Sequence, residues 1–273
     1  QMFAKAVEID PNYAQAYAGI ANSDSRLTGW YAVPIPVSEI LATADKALEL
    51  DPQLADAHAA RGYVFDISGR AAEAEAAFER ALELDPNNFE AYYFYARHCL
   101  KQGRREKAVE LLTRALEVNP DDSQAPLHLC RVLYNLGRAA ESEKYARMGI
   151  QRAEAALRLY PESSRPAQLS AAALARLGQA AEARQWLERA LAIDPEDNNA
   201  IYNAACVWAQ IGEADKAIDL LEGWARQIGA EQKNWFLQDS DLNPIREHPR
   251  YASLMQMIDR TLQARSDGQE AIQ

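Results

Sequence analysis

One hexapeptide keeps returning along this chain: Ala47-Leu48-Glu49-Leu50-Asp51-Pro52, Ala81-Leu82-Glu83-Leu84-Asp85-Pro86, Ala115-Leu116-Glu117-Val118-Asn119-Pro120 and Ala190-Leu191-Ala192-Ile193-Asp194-Pro195. With Pro11 and Pro161, the closing prolines stand 41, 34, 34, 41 and 34 residues apart. A fixed step of this length excludes one or two globular domains with independent cores. Each unit is too short to bury an apolar face alone, so the units must stack and the core must grow with their number.

Registering each unit so that its proline is position 32 starts the complete ones at Ala55, Phe89, Ser123, Ser164 and Asn198. Position 15 is then glycine every time: Gly69, Gly103, Gly137, Gly178 and Gly212. One glycine per period is the mark of a left-handed helix end, so each unit reads as two helices, A and B, joined by a tight turn. Between these marks apolar residues recur at intervals of three and four, as in Tyr92, Ala96, Cys99 and then Ala108, Leu112, Ala115. No strand is expected. With glycine and proline at only 12 each, the composition is that of a helical array.

Small residues at positions 8, 20 and 27, an aromatic or leucine at 24, proline at 32 and the 34-residue step resemble the tetratricopeptide repeat family. The resemblance implies an all-α fold, a right-handed α-solenoid of helix-turn-helix repeats, here with a C-terminal capping helix. It divides the chain into an array over residues 1–229 and a cap over 230–265, followed by a disordered tail over 266–273. Within the array, 1–11 is a half repeat and 12–54 a repeat with a loop insertion. Then come 55–88, 89–122, 123–163 with a long helix B, 164–197 and 198–229.

Each 41-residue step adds seven residues, about two helical turns. Helical spacing of Tyr145, Gly149, Ala153, Ala156 and Tyr160 puts one insertion inside a long helix. The other falls in Thr28-Gly29-Trp30-Tyr31-Ala32-Val33-Pro34-Ile35-Pro36, which reads as a loop carrying three exposed large residues. Trp235-Phe236-Leu237 and Leu242-Asn243-Pro244-Ile245 read as irregular chain, and a last helix is expected from Pro249 to Arg265. Residues 1–10 hold only the second half of a helix B, and they are read as the start of a fragment cut from the C-terminal part of a longer protein.

The chain carries no Gly-rich phosphate loop, no His-Glu-x-x-His and no Gly-x-Ser-x-Gly, so it reads as non-catalytic and without a cofactor. His98 with Cys99 and His128 with Cys130 are the one arrangement that suggests a metal. Cys99 and Cys130 fall on packing positions, and no metal site is expected. Three cysteines are no disulfide framework. A net charge of -11 argues against nucleic acid. No membrane span or signal peptide is read, and the location expected is cytoplasmic.

In the family, positions 2, 5, 9 and 12 of helix A line a concave surface. The resemblance carries that role to Tyr63, Asp66, Glu90, Tyr93, Arg97, Gln124, Arg131, Tyr134, Arg165, Gln168 and Tyr202, with Lys101 and Arg176 at the rim. The same positions add Gln15, Asn22, Asp56 and Asn199. The surface reads as acidic at one end and basic from the middle onward, which implies an acidic peptide or protein as ligand. The Lys and Asn clamp with which some family members hold a chaperone C-terminus is absent, since Ala59 and Tyr63, Tyr93 and Arg97, and Leu127 and Arg131 occupy its positions.

The run Asn12-Tyr13-Ala14-Gln15-Ala16-Tyr17-Ala18-Gly19-Ile20-Ala21, followed by a Pro-containing insertion, and the run Asp239-Ser240-Asp241-Leu242-Asn243-Pro244-Ile245-Arg246-Glu247-His248-Pro249-Arg250-Tyr251 resemble the tetratricopeptide halves of bacterial signalling proteins. In those an adenylate cyclase, winged-helix or kinase domain precedes the array. That implies a regulatory module, whose ligand could be the effector domain itself. An assembly or secretion scaffold is the alternative.

Overall fold

The computed structural model describes residues 2–270 apart from 32, 34, 196, 227, 229–232, 234, 235 and 238. Among them every regular element is helical. The chain divides into two compact units, residues 1–138 and 139–273.

The first unit holds α1 (Met2–Ile9), α2 (Ala14–Tyr31), α3 (Val37–Leu50), α4 (Ala55–Ile67), α5 (Ala71–Leu84), α6 (Phe89–Lys101), α7 (Arg105–Val118) and α8 (Gln124–Asn135). The second holds α9 (Ala139–Leu159), α10 (Arg165–Arg176), α11 (Ala180–Ile193), α12 (Asn198–Gln210) and α13 (Ala214–Trp224). It ends in a 3-10 segment (Ser240–Ile245) and α14 (Tyr251–Glu270). Within each unit an A helix packs on its own B helix and on the neighbouring A helix: α4 on α5, α2 and α6 in one unit, α10 on α11 and α12 in the other.

The recurring motifs work locally. At the Asp-Pro step the aspartate ends a helix in extended backbone, as a residue before proline must. Its carboxylate accepts from the N–H two residues on: Asp51 Oδ1 from Gln53 and Asp85 Oδ1 from Asn87, each at 2.9 Å. The turn glycines sit at φ of +72° to +85°. The residue after each donates back to the helix, Arg70 to Phe65 O and Arg104 to Cys99 O, which satisfies the carbonyls that a helix end leaves orphaned.

Packing follows volume at positions 8 and 24. Gly62 of α4 lies against Phe78 of α5, so close that a Cβ on Gly62 would come within 2.8 Å of the ring. The corresponding pairs later in the chain are Ala96 with Leu112, Ala171 with Leu187 and Ala205 with Leu221, and all six of these side chains are buried. A larger partner faces a smaller one, as close packing requires.

The elements differ from expectation in four places. Leu242-Asn243-Pro244-Ile245, expected as irregular chain, lies in the 3-10 segment Ser240–Ile245, and Trp235 of the other such stretch is outside the described residues. Helix α2 continues through Thr28, Gly29, Trp30 and Tyr31 rather than ending in a loop. Gly29 belongs there because a Cβ would come within 2.9 Å of the Tyr63 hydroxyl, so it marks a close approach and not a helix break. The side chains of Trp30 and Tyr31 lie outside the described residues, and Ile35 is half-buried against the Ile40 cluster. In α9 the buried stripe is Ser142, Ala146, Gly149, Ala153 and Leu157, whereas Tyr160 lies beyond the helix and is 60% exposed. Helix α14 starts at Tyr251 and runs to Glu270, into the stretch read as a disordered tail. Residues 271–273 are outside the described chain.

Candidate functional site

The A helices of the first unit are tied by polar side chains that bond roughly one repeat ahead in sequence. Asp56 of α4 accepts from Gln15 Nε2 at 2.9 Å and from Asn88 Nδ2 at 2.7 Å, while Asn88 Oδ1 caps α6 by accepting from Ala91 N. Glu90 forms an ion pair with Arg26, whose guanidinium lies 5.1 Å over the Phe94 ring. Tyr63 stacks on Phe94 with centroids 4.1 Å apart, and burial pushes its phenol up to about 12.

Further along, the Tyr93 hydroxyl donates to Gln124 Oε1 at 3.1 Å and lies 3.0 Å from His128 Nε2. Arg97 lies 5.9 Å over the Tyr93 ring. The Asp66 carboxylate meets His98 Nδ1 at 2.9 Å and Lys101 Nζ at 2.6 Å. Burial alone would raise the Asp66 pKa, but the His98 hydrogen bond and the Lys101 charge overcome it, and the carboxyl is held below its ordinary value.

The second unit has the same kind of ladder. Buried Gln168 of α10 donates to Asp197 Oδ2 at 3.0 Å and to Ser164 Oγ at 2.9 Å, and accepts from Asn203 Nδ2 at 2.8 Å. The Tyr202 hydroxyl donates to Asp239 Oδ2 at 2.9 Å, and Arg176 is paired with Asp241.

The residues read as a ligand surface therefore fall into two groups. Tyr63, Asp66, Tyr93, Gln168 and Tyr202 are buried, at 8% exposure or less. As placed they cannot offer side chains to a ligand, because the aromatic rings stack between A helices and their polar atoms are engaged by neighbours. Glu90, Arg97, Gln124, Arg131 and Arg165 are half-buried, Lys101 is exposed, and Tyr134 is 50% exposed. Arg176 was read as a rim residue, yet its side chain is only 4% exposed and lies within the second unit's ladder.

Sequence reasoning missed Arg26, Asn88, Asp239 and Asp241 as members of these ladders, and weighed His128 only beside Cys130 rather than beside Tyr93. The available signal was spacing: the cross-repeat hydrogen bonds from Asn88, Tyr93, His98 and Lys101 span 31 to 35 residues. No cluster of three or more His, Cys, Asp or Glu able to hold a metal gathers among the described residues. No disulfide joins Cys99, Cys130 and Cys206. No described helix is long and apolar enough to cross a membrane. A cleft of about 410 Å³ opens beside the B helices, lined by residues that include Leu82, Tyr92, Leu111, Glu79 and Lys107.

Helix pairs that lean on their neighbours, five of them turned by a left-handed glycine, define an α-helical repeat protein. Tetratricopeptide-repeat models match residues 67–125 and 101–150, residues 41–89, and residues 168–197. Together these spans cover about half of the sequence, and the chain belongs to the tetratricopeptide-repeat proteins.

Solved structures share the fold. The PilF protein of Pseudomonas aeruginosa is 20% identical and aligns over 84% of this chain and 94% of its own, with a TM-score of 0.53. Yeast Tom70 is 22% identical over 93% of this chain and 52% of its own, at 0.52. Cut9–Hcn1 of the APC/C is 17% identical over 96% of this chain and 45% of its own, at 0.59. This chain thus spans about half the length of the last two. No curated protein matches it in sequence. Tetratricopeptide repeats make a protein-interaction module, and that is the class of this chain.

Proposed function

We propose that this is a non-catalytic module that binds an acidic peptide or acidic protein segment, and that it serves as the regulatory part of a bacterial signalling protein. The observation that carries the ligand class is the charge on the A helices of the first unit. Arg26, Arg61, Arg97, Lys101 and Arg131 stand there against Asp24, Asp56, Asp66 and Glu90, an excess of one cation in a chain whose total is -11. Such a surface steers an acidic segment toward itself, guanidinium groups offer paired donors to carboxylates, and half-exposed Tyr134 offers apolar contact. The buried ladder beneath holds these side chains in place before a ligand arrives, which lowers the ordering cost of binding. The signalling context rests on the two terminal sequence runs.

The test uses labelled synthetic peptides of alternating glutamate and leucine, with lysine and serine versions as controls, followed by fluorescence anisotropy over a salt series. The glutamate peptide should bind tightest and weaken with salt. Arg97→Glu with Arg131→Glu should reduce its affinity, with helicity and melting checked in parallel. A solvent-screened pair made by a half-buried arginine contributes about 1 kcal/mol, so both changes are needed. Equal binding of the three peptides, or affinity indifferent to both reversals, would remove the acidic-ligand reading.

A further inference from the structure

The second unit already holds an acidic segment of its own chain. Asp239 and Asp241 stand two residues apart at the start of the 3-10 segment, and each carboxylate lies on an A helix at a position expected to face a ligand. Asp239 Oδ2 accepts from the Tyr202 hydroxyl at 2.9 Å and lies 4.0 Å from Cys206 Sγ. Asp241 pairs with Arg176, and the two side chains are only 13% and 4% exposed. Leu242 and Ile245, next in sequence, are fully buried in the cluster that includes Trp224, Phe236 and Leu254. Arg246 holds the backbone of the segment from behind by donating to Leu237 O at 2.8 Å and Asp239 O at 3.3 Å.

We propose that residues 239–245 are a built-in ligand: the A-helix face of α10 and α12 is a recognition site for an acidic peptide of the form Asp-x-Asp-Leu, occupied in cis and open to a partner of that form when the segment yields. The proposal deepens the acidic-ligand reading given above and rests on it, although it concerns a different unit. Its chemistry is specific. One carboxylate receives a phenol donor, the second a guanidinium, and a leucine follows into an apolar slot. Being tethered, the internal segment acts at a high effective concentration, so a partner must present the same pattern in a stronger form or arrive when the tether has loosened.

Cys206 supplies a reporter. Burial and the Asp239 and Asp241 carboxylates raise its thiol pKa well above the ordinary value, which keeps it unreactive while the segment is seated. In the full chain, maleimide labelling located by mass spectrometry should be slow at Cys206. In Asp239→Asn/Asp241→Asn it should rise about tenfold or more, as loss of the two charges and local opening act together, and in Arg246→Met, which keeps both carboxylates, it should rise through opening alone, while Cys99 and Cys130 in the other unit keep their rates. A dansyl-labelled peptide with the sequence of residues 239–246 should bind this variant and return Cys206 to slow labelling. Its diasparagine version should not, and adding Arg176→Gln to the variant should abolish binding.

If the double variant loses helicity, Arg246→Met releases the segment's backbone without altering either carboxylate or the receiving face, and the same measurements apply. An unchanged Cys206 rate in a folded variant would mean that the carboxylates do not hold the segment. An opened Cys206 with no peptide binding would mean that the face is not a ligand site. Either outcome overturns this proposal and leaves the Arg97 and Arg131 test of the first unit standing.

Discussion

Gly62 and Phe78 offer a sharp test of how each repeat is packed. A Cβ added to Gly62 would sit 2.8 Å from Cδ1 and Cε1 of Phe78, roughly 0.6 Å inside ordinary contact distance. The ring cannot swing away freely, because it is fully buried and stacks on Tyr95 with centroids 5.6 Å apart. Gly62→Ala should gain about 1 kcal/mol from helix propensity and lose about 1–3 kcal/mol from overpacking, for a net loss of about 1 kcal/mol. Phe78→Leu alone should cost about 1–2 kcal/mol through the space it leaves. The double variant recreates the Ala and Leu pair found at these positions in three other repeats. It should therefore be about 1 kcal/mol more stable than the sum of the single losses implies. Urea melts by far-UV circular dichroism, with hydrogen exchange of the α4 and α5 amides, would measure this. Additivity within about 0.5 kcal/mol, or a Gly62→Ala protein more stable than wild type, would refute the packing argument.

Other consequences are as direct. The depressed Asp66 pKa adds stability that is fully present above the ordinary value of 3.8 and lost as pH falls through the lower folded value. Melting temperature should therefore drop more steeply below about pH 4 in the wild type than in Asp66→Asn, and parallel profiles would show that the pair with His98 and Lys101 contributes nothing. Gly103→Ala, at φ +72°, should cost about 1–2 kcal/mol although space around it is open, because the strain is in the backbone. Gly223→Ala, in open space on α13, should gain about 0.5–1 kcal/mol by the same melts, so the two substitutions should differ in sign. Cys99 is fully buried and its thiol is pushed up to about 11, so iodoacetamide at pH 8 should modify it only once the first unit unfolds.

The sequence made the helix pairs readable because their punctuation is local. Gly69, Gly103 and the Asp-Pro steps act within a few residues of themselves, so a period and a turn rule were enough to place them. Gly29 misled because a helix-breaking residue and a close-approach residue look alike in sequence. What separates them is the Tyr63 hydroxyl, which lies on another helix. The ligand surface was legible in position but not in exposure. Tyr63 is buried because Phe94 is there to stack on it, whereas Arg97 and Arg131 at the same position of later repeats are only half-buried. The 239–245 segment was invisible as a partner for α10 and α12 because the Arg176 and Asp241 pair spans 65 residues and no local rule reaches that far.

The cross-repeat bonds also bear on how a chain of near-copies avoids assembling in the wrong order. Apolar faces that are alike from repeat to repeat would let α4 dock one repeat too far along almost as well as in its proper place. The polar contacts are not alike. Docked one repeat late, Asp66 would meet Val132 and Asn135 in place of His98 and Lys101, and Asp56 would meet Asp122 in place of Asn88. A buried carboxylate deprived of its partner costs about 3–5 kcal/mol, and a second carboxylate set beside the other adds repulsion. The repeat built on α4 and α5 thus carries an address that its own neighbour matches and the next one does not, and skipping a neighbour during folding becomes a dead end that reverses itself.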